Sequence, residues 1–118
     1  MKGMIEMKRV FASLIAVVLL TSIGTGEALA RSTPRVTKKV SIVNFAFMPR
    51  TLQVTRGTTV KWTNNAPTTT HTTTSDTGLW NKRLAPGQSF SRAFNQSGTF
   101  RYHCTIHPTM TGKIVVSG

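Results

Sequence analysis

Cys104, His107 and Met110 lie within one short stretch, Cys104-Thr105-Ile106-His107-Pro108-Thr109-Met110, in a chain of 118 residues that has one cysteine and three histidines. A thiolate, an imidazole and a thioether so close together form a soft ligand set. Zinc accepts the thiolate and the imidazole, gains little from a thioether, and closes its shell with further Cys, His or carboxylate. Copper accepts all three donors, and a trigonal arrangement of one Cys and two His with a weak axial Met needs one more imidazole. Of the other two histidines, His103 adjoins Cys104 on the same extended run and so points to the opposite face. That leaves His71, which follows a loop after the run containing Trp62. The expected metal ligands are His71, Cys104, His107 and Met110, and the expected cofactor is one copper ion. A lone Cys-x-x-His is a weak signal; the added Met and the spare His make the set specific. His103 is read as an exposed strand histidine and Met48 as core filler.

Composition closes off other chemistries. A single cysteine excludes an internal disulfide framework and any zinc module that takes two thiolates from one chain. Only three carboxylates exist, Glu6, Glu27 and Asp76, and the first two sit in an N-terminal segment of different character, so paired-carboxylate acid–base chemistry is disfavoured. Four protein donors leave no open position for a substrate at the metal, and the histidine count leaves no material for a second, catalytic copper. The chain is therefore expected not to be an enzyme.

The donors need elements to hold them. From Val36 onward there is no helical periodicity; short β-type runs alternate with turn residues, which predicts an all-β sandwich or barrel. Strands are expected at Val36–Phe47, Thr51–Val54, Thr58–Asn64, His71–Thr74, Gln88–Phe94, Gly98–Cys104 and Gly112–Val116. Period-2 alternation sends Phe100, Tyr102 and Cys104 to one face and Arg101 and His103 to the other, and it places Val60, Trp62 and Asn64 together. Cys104 is expected to point into the sandwich.

Residues 1–30 read as a secretory signal. Lys2, Lys8 and Arg9 precede an apolar run from Val10 to Leu20, and Ala28-Leu29-Ala30 offers small residues for cleavage after Ala30. The apolar run is shorter than the roughly 18 to 20 residues that span a bilayer. The expected mature domain is 31–118, in which twelve basic residues stand against Asp76 alone, a net charge of +11. Such a surface favours acidic partners and at most peripheral contact with anionic membranes. Nucleic acid is not the expected partner, because the basic residues are dispersed singly through the strands.

Phe47-Met48-Pro49, Gly57 through Asn64, His71, Leu84 through Phe90, and Gly98 through Cys104 continuing over Gly112 to Val116 resemble a cupredoxin of the plastocyanin/amicyanin type. The resemblance covers Val36–Val116. Two residues between His107 and Met110, His103 before the cysteine and Pro108 after the histidine make the loop most similar to that of amicyanin. The resemblance implies a Greek-key β-sandwich of seven or eight strands, one type 1 (blue) copper ion and one-electron transfer. With the secretory leader, the expected location is the periplasm or elsewhere outside the cytoplasm, and the expected partners of a monomeric carrier are redox proteins such as a c-type cytochrome or an oxidoreductase. A copper-handling protein without an electron-transfer role remains the alternative. One departure is Thr72, where many members place an Asn that ties the two ligand loops; Thr72 and Thr105 are expected to hydrogen-bond across them.

Overall fold

Residues 58–64 show in pure form how this sequence builds its core. In the computed structural model, which describes residues 35–118, Thr58, Val60, Trp62 and Asn64 are buried while the residues between them are half-exposed. The expected leader and its cleavage site lie outside the described residues. Nine strands follow in order: β1 Thr37–Val43, β2 Ala46–Met48, β3 Thr51–Thr55, β4 Thr58–Asn64, β5 His71–Ser75, β6 Asn81–Leu84, β7 Ser89–Phe94, β8 Gly98–His103 and β9 Thr111–Ser117. They form a four-stranded sheet, β2-β1-β4-β7, and a five-stranded sheet, β3-β9-β8-β5-β6. β1 pairs with β4 and β3 with β9 in parallel, and the remaining pairs are antiparallel. The chain passes repeatedly from one sheet to the other, as the Greek-key sandwich requires.

Trp62 joins the two layers. Projecting from the four-stranded sheet, it meets Tyr102 of the five-stranded sheet edge-on, with ring centroids 5.5 Å apart, and stacks on Phe90 of its own sheet at 5.9 Å. Trp80, from the connection between β5 and β6, covers it at 5.5 Å and donates its indole N–H to Thr73 Oγ1. Replacing a fully buried aromatic of this kind by Ala costs about 3–5 kcal/mol. Across β8 and β9, Gly112 lies opposite Tyr102. A Cβ at Gly112 would come within 2.6 Å of the Tyr102 ring and hydroxyl, so the phenol and the glycine occupy one space between them.

Three local expectations change. The run Val36–Phe47 is two strands, because the chain turns at Asn44-Phe45 and β2 folds back on β1 with Val43 opposite Ala46. β6 is an additional strand; Asn81, Lys82 and Arg83 are all exposed and only Leu84 is buried, so it carries no alternation and has the charged character of a protected sheet edge. Met48 is not core filler. Phe47 is the β2 residue that faces the core, at 1% exposure, and period-2 geometry turns its neighbour Met48 outward, at 56%.

Candidate metal centre

At one end of the sandwich, the β1–β2 turn, the start of β5 and the β8–β9 loop come together. Asn64, fully buried at the end of β4, organises the approach to β5: its side-chain amide donates to the carbonyls of Thr69 and Leu84 at 2.9 Å, and its Oδ1 accepts the Ala66 N–H at 3.0 Å. These bonds satisfy an otherwise costly buried amide and fix the loop that delivers His71. The other loop closes on itself, with the Cys104 N–H donating to the Met110 carbonyl at 3.0 Å and the Met110 N–H to the His107 carbonyl at 2.8 Å. His107 is thereby turned back toward the cysteine.

The result is a convergence of donors. Cys104 Sγ lies 3.8 Å from His71 Nδ1 and 3.6 Å from His107 Nδ1. One ligand atom from each of the three residues falls within 4.8 Å of the others. Cys104 and His71 are fully buried, Met110 is 3% exposed and His107 is half-buried. The Thr72 N–H donates to Cys104 Sγ at 3.3 Å. Burial, and secondarily the neighbouring His107, holds the pKa of His71 below the usual imidazole value, which keeps the ring neutral and able to donate a lone pair.

Outside this ring of donors sit groups that hold it. Asn44 Oδ1 lies 2.7 Å from His71 Nε2. Thr72 Oγ1 accepts the Thr105 N–H at 2.8 Å and lies 3.3 Å from Thr105 Oγ1, so the expected tie between the two ligand loops is present with Thr in place of Asn.

A profile of the cupredoxin-like domain matches residues 11–116. The chain belongs to the cupredoxin family. Amicyanin from Paracoccus denitrificans is 35% identical over 82 residues, which span 65% of this chain and 63% of that protein, a little under two thirds of its length. Amicyanin-alpha from Methylorubrum extorquens is 30% identical over 113 residues, spanning 90% of this chain and 95% of that one. Among solved structures, a purple cupredoxin from Nitrosopumilus maritimus aligns with a TM-score of 0.61 at 29% identity, covering 67% of this chain and 98% of the other.

The residues of this cupredoxin fit one copper ion of the type 1 kind. Two imidazole nitrogens and one thiol converge with a buried methionine beside them, and among the described residues no carboxylate joins the cluster. That donor set is soft and unlike a closed zinc shell. His103 stays apart, as its strand position requires, and pairs through Nδ1 with Asp76 Oδ1, its side chain 31% exposed. Asn44 and Phe45 were not anticipated. Phe45, 62% exposed, packs against the His107 ring at 5.0 Å and the His71 ring at 6.2 Å. The signal for both was the turn that interrupts the expected strand Val36–Phe47, where a polar and an aromatic residue leave the sheet together.

Proposed function

We propose that this cupredoxin carries single electrons between redox partners outside the cytoplasm, with one type 1 copper ion bound by His71, Cys104, His107 and Met110. The observation that supports it is the buried donor cluster, in which a thiol and two imidazoles are already brought together and tied from behind. When bound, copper supplies a Cu(II)/Cu(I) couple. Cys104 would hold the ion as a thiolate, and the neutral His71 would offer Nδ1 without first releasing a proton. The Thr72 N–H partly neutralises the sulfur charge. The loops, tied by Thr72, Thr105 and the Cys104–Met110 backbone bond, would hold the donors in one arrangement, which suits electron transfer more than metal release.

Half-buried His107 is the route outward. Ile106 is 40% exposed, Pro108 is exposed and Phe45 lies against the imidazole, so an apolar collar surrounds the ring where a partner's cofactor would approach. Four donors leave no position for substrate, in keeping with a carrier and not an enzyme. On the leader reading, the mature chain is residues 31–118 and works in the periplasm or an equivalent compartment; we propose it as a monomer. Its partners would be a c-type cytochrome or an oxidoreductase with an acidic face complementary to the basic surface.

The discriminating experiment mixes the reduced copper-loaded protein with an oxidised c-type cytochrome and, separately, with a copper chelator. A carrier exchanges electrons rapidly, more slowly with an acidic partner as salt is raised, and keeps its metal. Ready loss of copper to the chelator with no electron exchange would favour the copper-handling alternative.

A further inference from the structure

The outer face of the five-stranded sheet carries a row of side chains unrelated to the metal ligands. Thr51 on β3 pairs with Lys113 on β9, and Lys113 pairs with Arg101 on β8. Their chain neighbours Tyr102, Gly112 and Ile114 face the core, so Arg101 and Lys113 leave the sheet side by side on its other face. Like charges directly opposite one another destabilise an antiparallel pair. No carboxylate among the described residues forms an ion pair with either one, or with Arg50.

Arg50 is the third cation. Its carbonyl accepts the Lys113 N–H at 2.9 Å, and its Nη2 donates to Thr111 Oγ1 at 2.9 Å. Backbone and guanidinium are therefore both tied to β9. Because the Thr111 oxygen accepts from Arg50, its own proton is free to be donated elsewhere. These residues line a cavity of about 410 Å³, with Asp76 the one carboxylate on its wall. Asp76 Oδ1 is already engaged by His103 Nδ1, and three cations outnumber it. Arg92, by contrast, lies over the Trp80 and Phe94 rings, 5.1 and 4.8 Å from their centroids, and contributes nothing here.

We infer that this cavity binds a small tetrahedral oxyanion of the phosphate or sulfate class. Two guanidinium forks, one ammonium and the hydroxyls of Thr51 and Thr111 line it, a donor-rich set with a single carboxylate, one of whose oxygens is taken up by His103. The concavity and the few groups involved match a small anion, whereas a polyanion would need the dispersed basic residues gathered on one face. The site stands independently of the metal, although Thr111 directly follows Met110 and Arg101 lies on the strand that leads to Cys104.

The test is a titration of the reduced, copper-loaded protein, labelled with ¹⁵N, with inorganic phosphate at constant ionic strength. Saturable amide shifts centred on Arg50, Thr51, Arg101, Thr111 and Lys113 are expected. The double variant Arg101→Gln/Lys113→Gln should bind about tenfold or more weakly, the scale of losing a charge-assisted hydrogen bond, and Asp76→Asn should bind more tightly. Asp76 and Arg101 are exposed and Lys113 is half-buried, and each variant is checked for an unchanged fold by the remainder of its spectrum. Shifts that never saturate, shifts spread equally over Lys38, Lys39 and Lys61, or a double variant that binds as the parent does would overturn the assignment.

Discussion

Asn44 Oδ1 and His71 Nε2 are 2.7 Å apart, which settles the tautomer of a buried ring from a turn 27 residues earlier in the chain. An amide oxygen only accepts, so Nε2 carries the proton and Nδ1 keeps its lone pair, facing Cys104 Sγ at 3.8 Å. Asn44→Ala removes this support. Copper affinity is expected to fall about 10- to 100-fold, measured by competition with a chelator of known strength. An unchanged affinity would mean that packing alone orients the ring.

Thr72 is the second support, and Thr72→Val isolates it. The substitution keeps the branched shape but leaves the Thr105 N–H, now at 2.8 Å from Thr72 Oγ1, without its acceptor. Stability should drop by about 1–3 kcal/mol, the cost of stranding a part-buried donor, and appear as a lower denaturant midpoint. Thr72→Asn keeps an acceptor and should lose less. Equal losses in the two variants would remove the hydrogen bond from the explanation.

Tyr102 links the core to alkaline pH. Burial pushes its phenol up to about 12, against a smaller opposite pull from Trp62; neither the indole N–H nor the hydroxyl makes a hydrogen bond of proper geometry, so the pull is one of proximity. In the unfolded chain a tyrosine titrates near 10. The fold favours the neutral phenol, so its contribution is fully present below about pH 10 and is lost as pH rises through about 12, a change of about 3 kcal/mol. Tyr102→Phe should abolish this part of the alkaline loss and, by removing an unsatisfied hydroxyl, raise stability at neutral pH by about 1 kcal/mol. Denaturation midpoints of the two proteins between pH 7 and 12 check both statements, with about half of the loss reached by pH 11; curves that run parallel would exclude the phenol as the titrating group.

Much of the site could be read directly from spacing. Cys104, His107 and Met110 are held by one loop, so their proximity is a property of the local sequence, and the alternation of β4 and of Phe100–Tyr102 fixed which residues face inward. His71 was reached by eliminating His103, whose position next to Cys104 puts it on the far face. Contacts made between elements were not legible in the same way. Asn44 depends on where the segment Val36–Phe47 turns, β6 has no burial pattern to betray it, and Met48 faces outward because Phe47 takes the inward position in a three-residue strand. The row of Thr51, Lys113 and Arg101 exists only once β3, β9 and β8 are paired in register.

The central claim is tested most directly by the visible absorption spectrum of the purified protein loaded with Cu(II), beside that of Cys104→Ala prepared in the same way. One copper per chain with an intense band from thiolate-to-copper charge transfer is expected in the parent protein, and complete loss of that band in the variant. A parent protein that binds copper without the band, or a Cys104→Ala variant that keeps it, would contradict the assignment of Cys104 to the metal and with it the electron-carrier account.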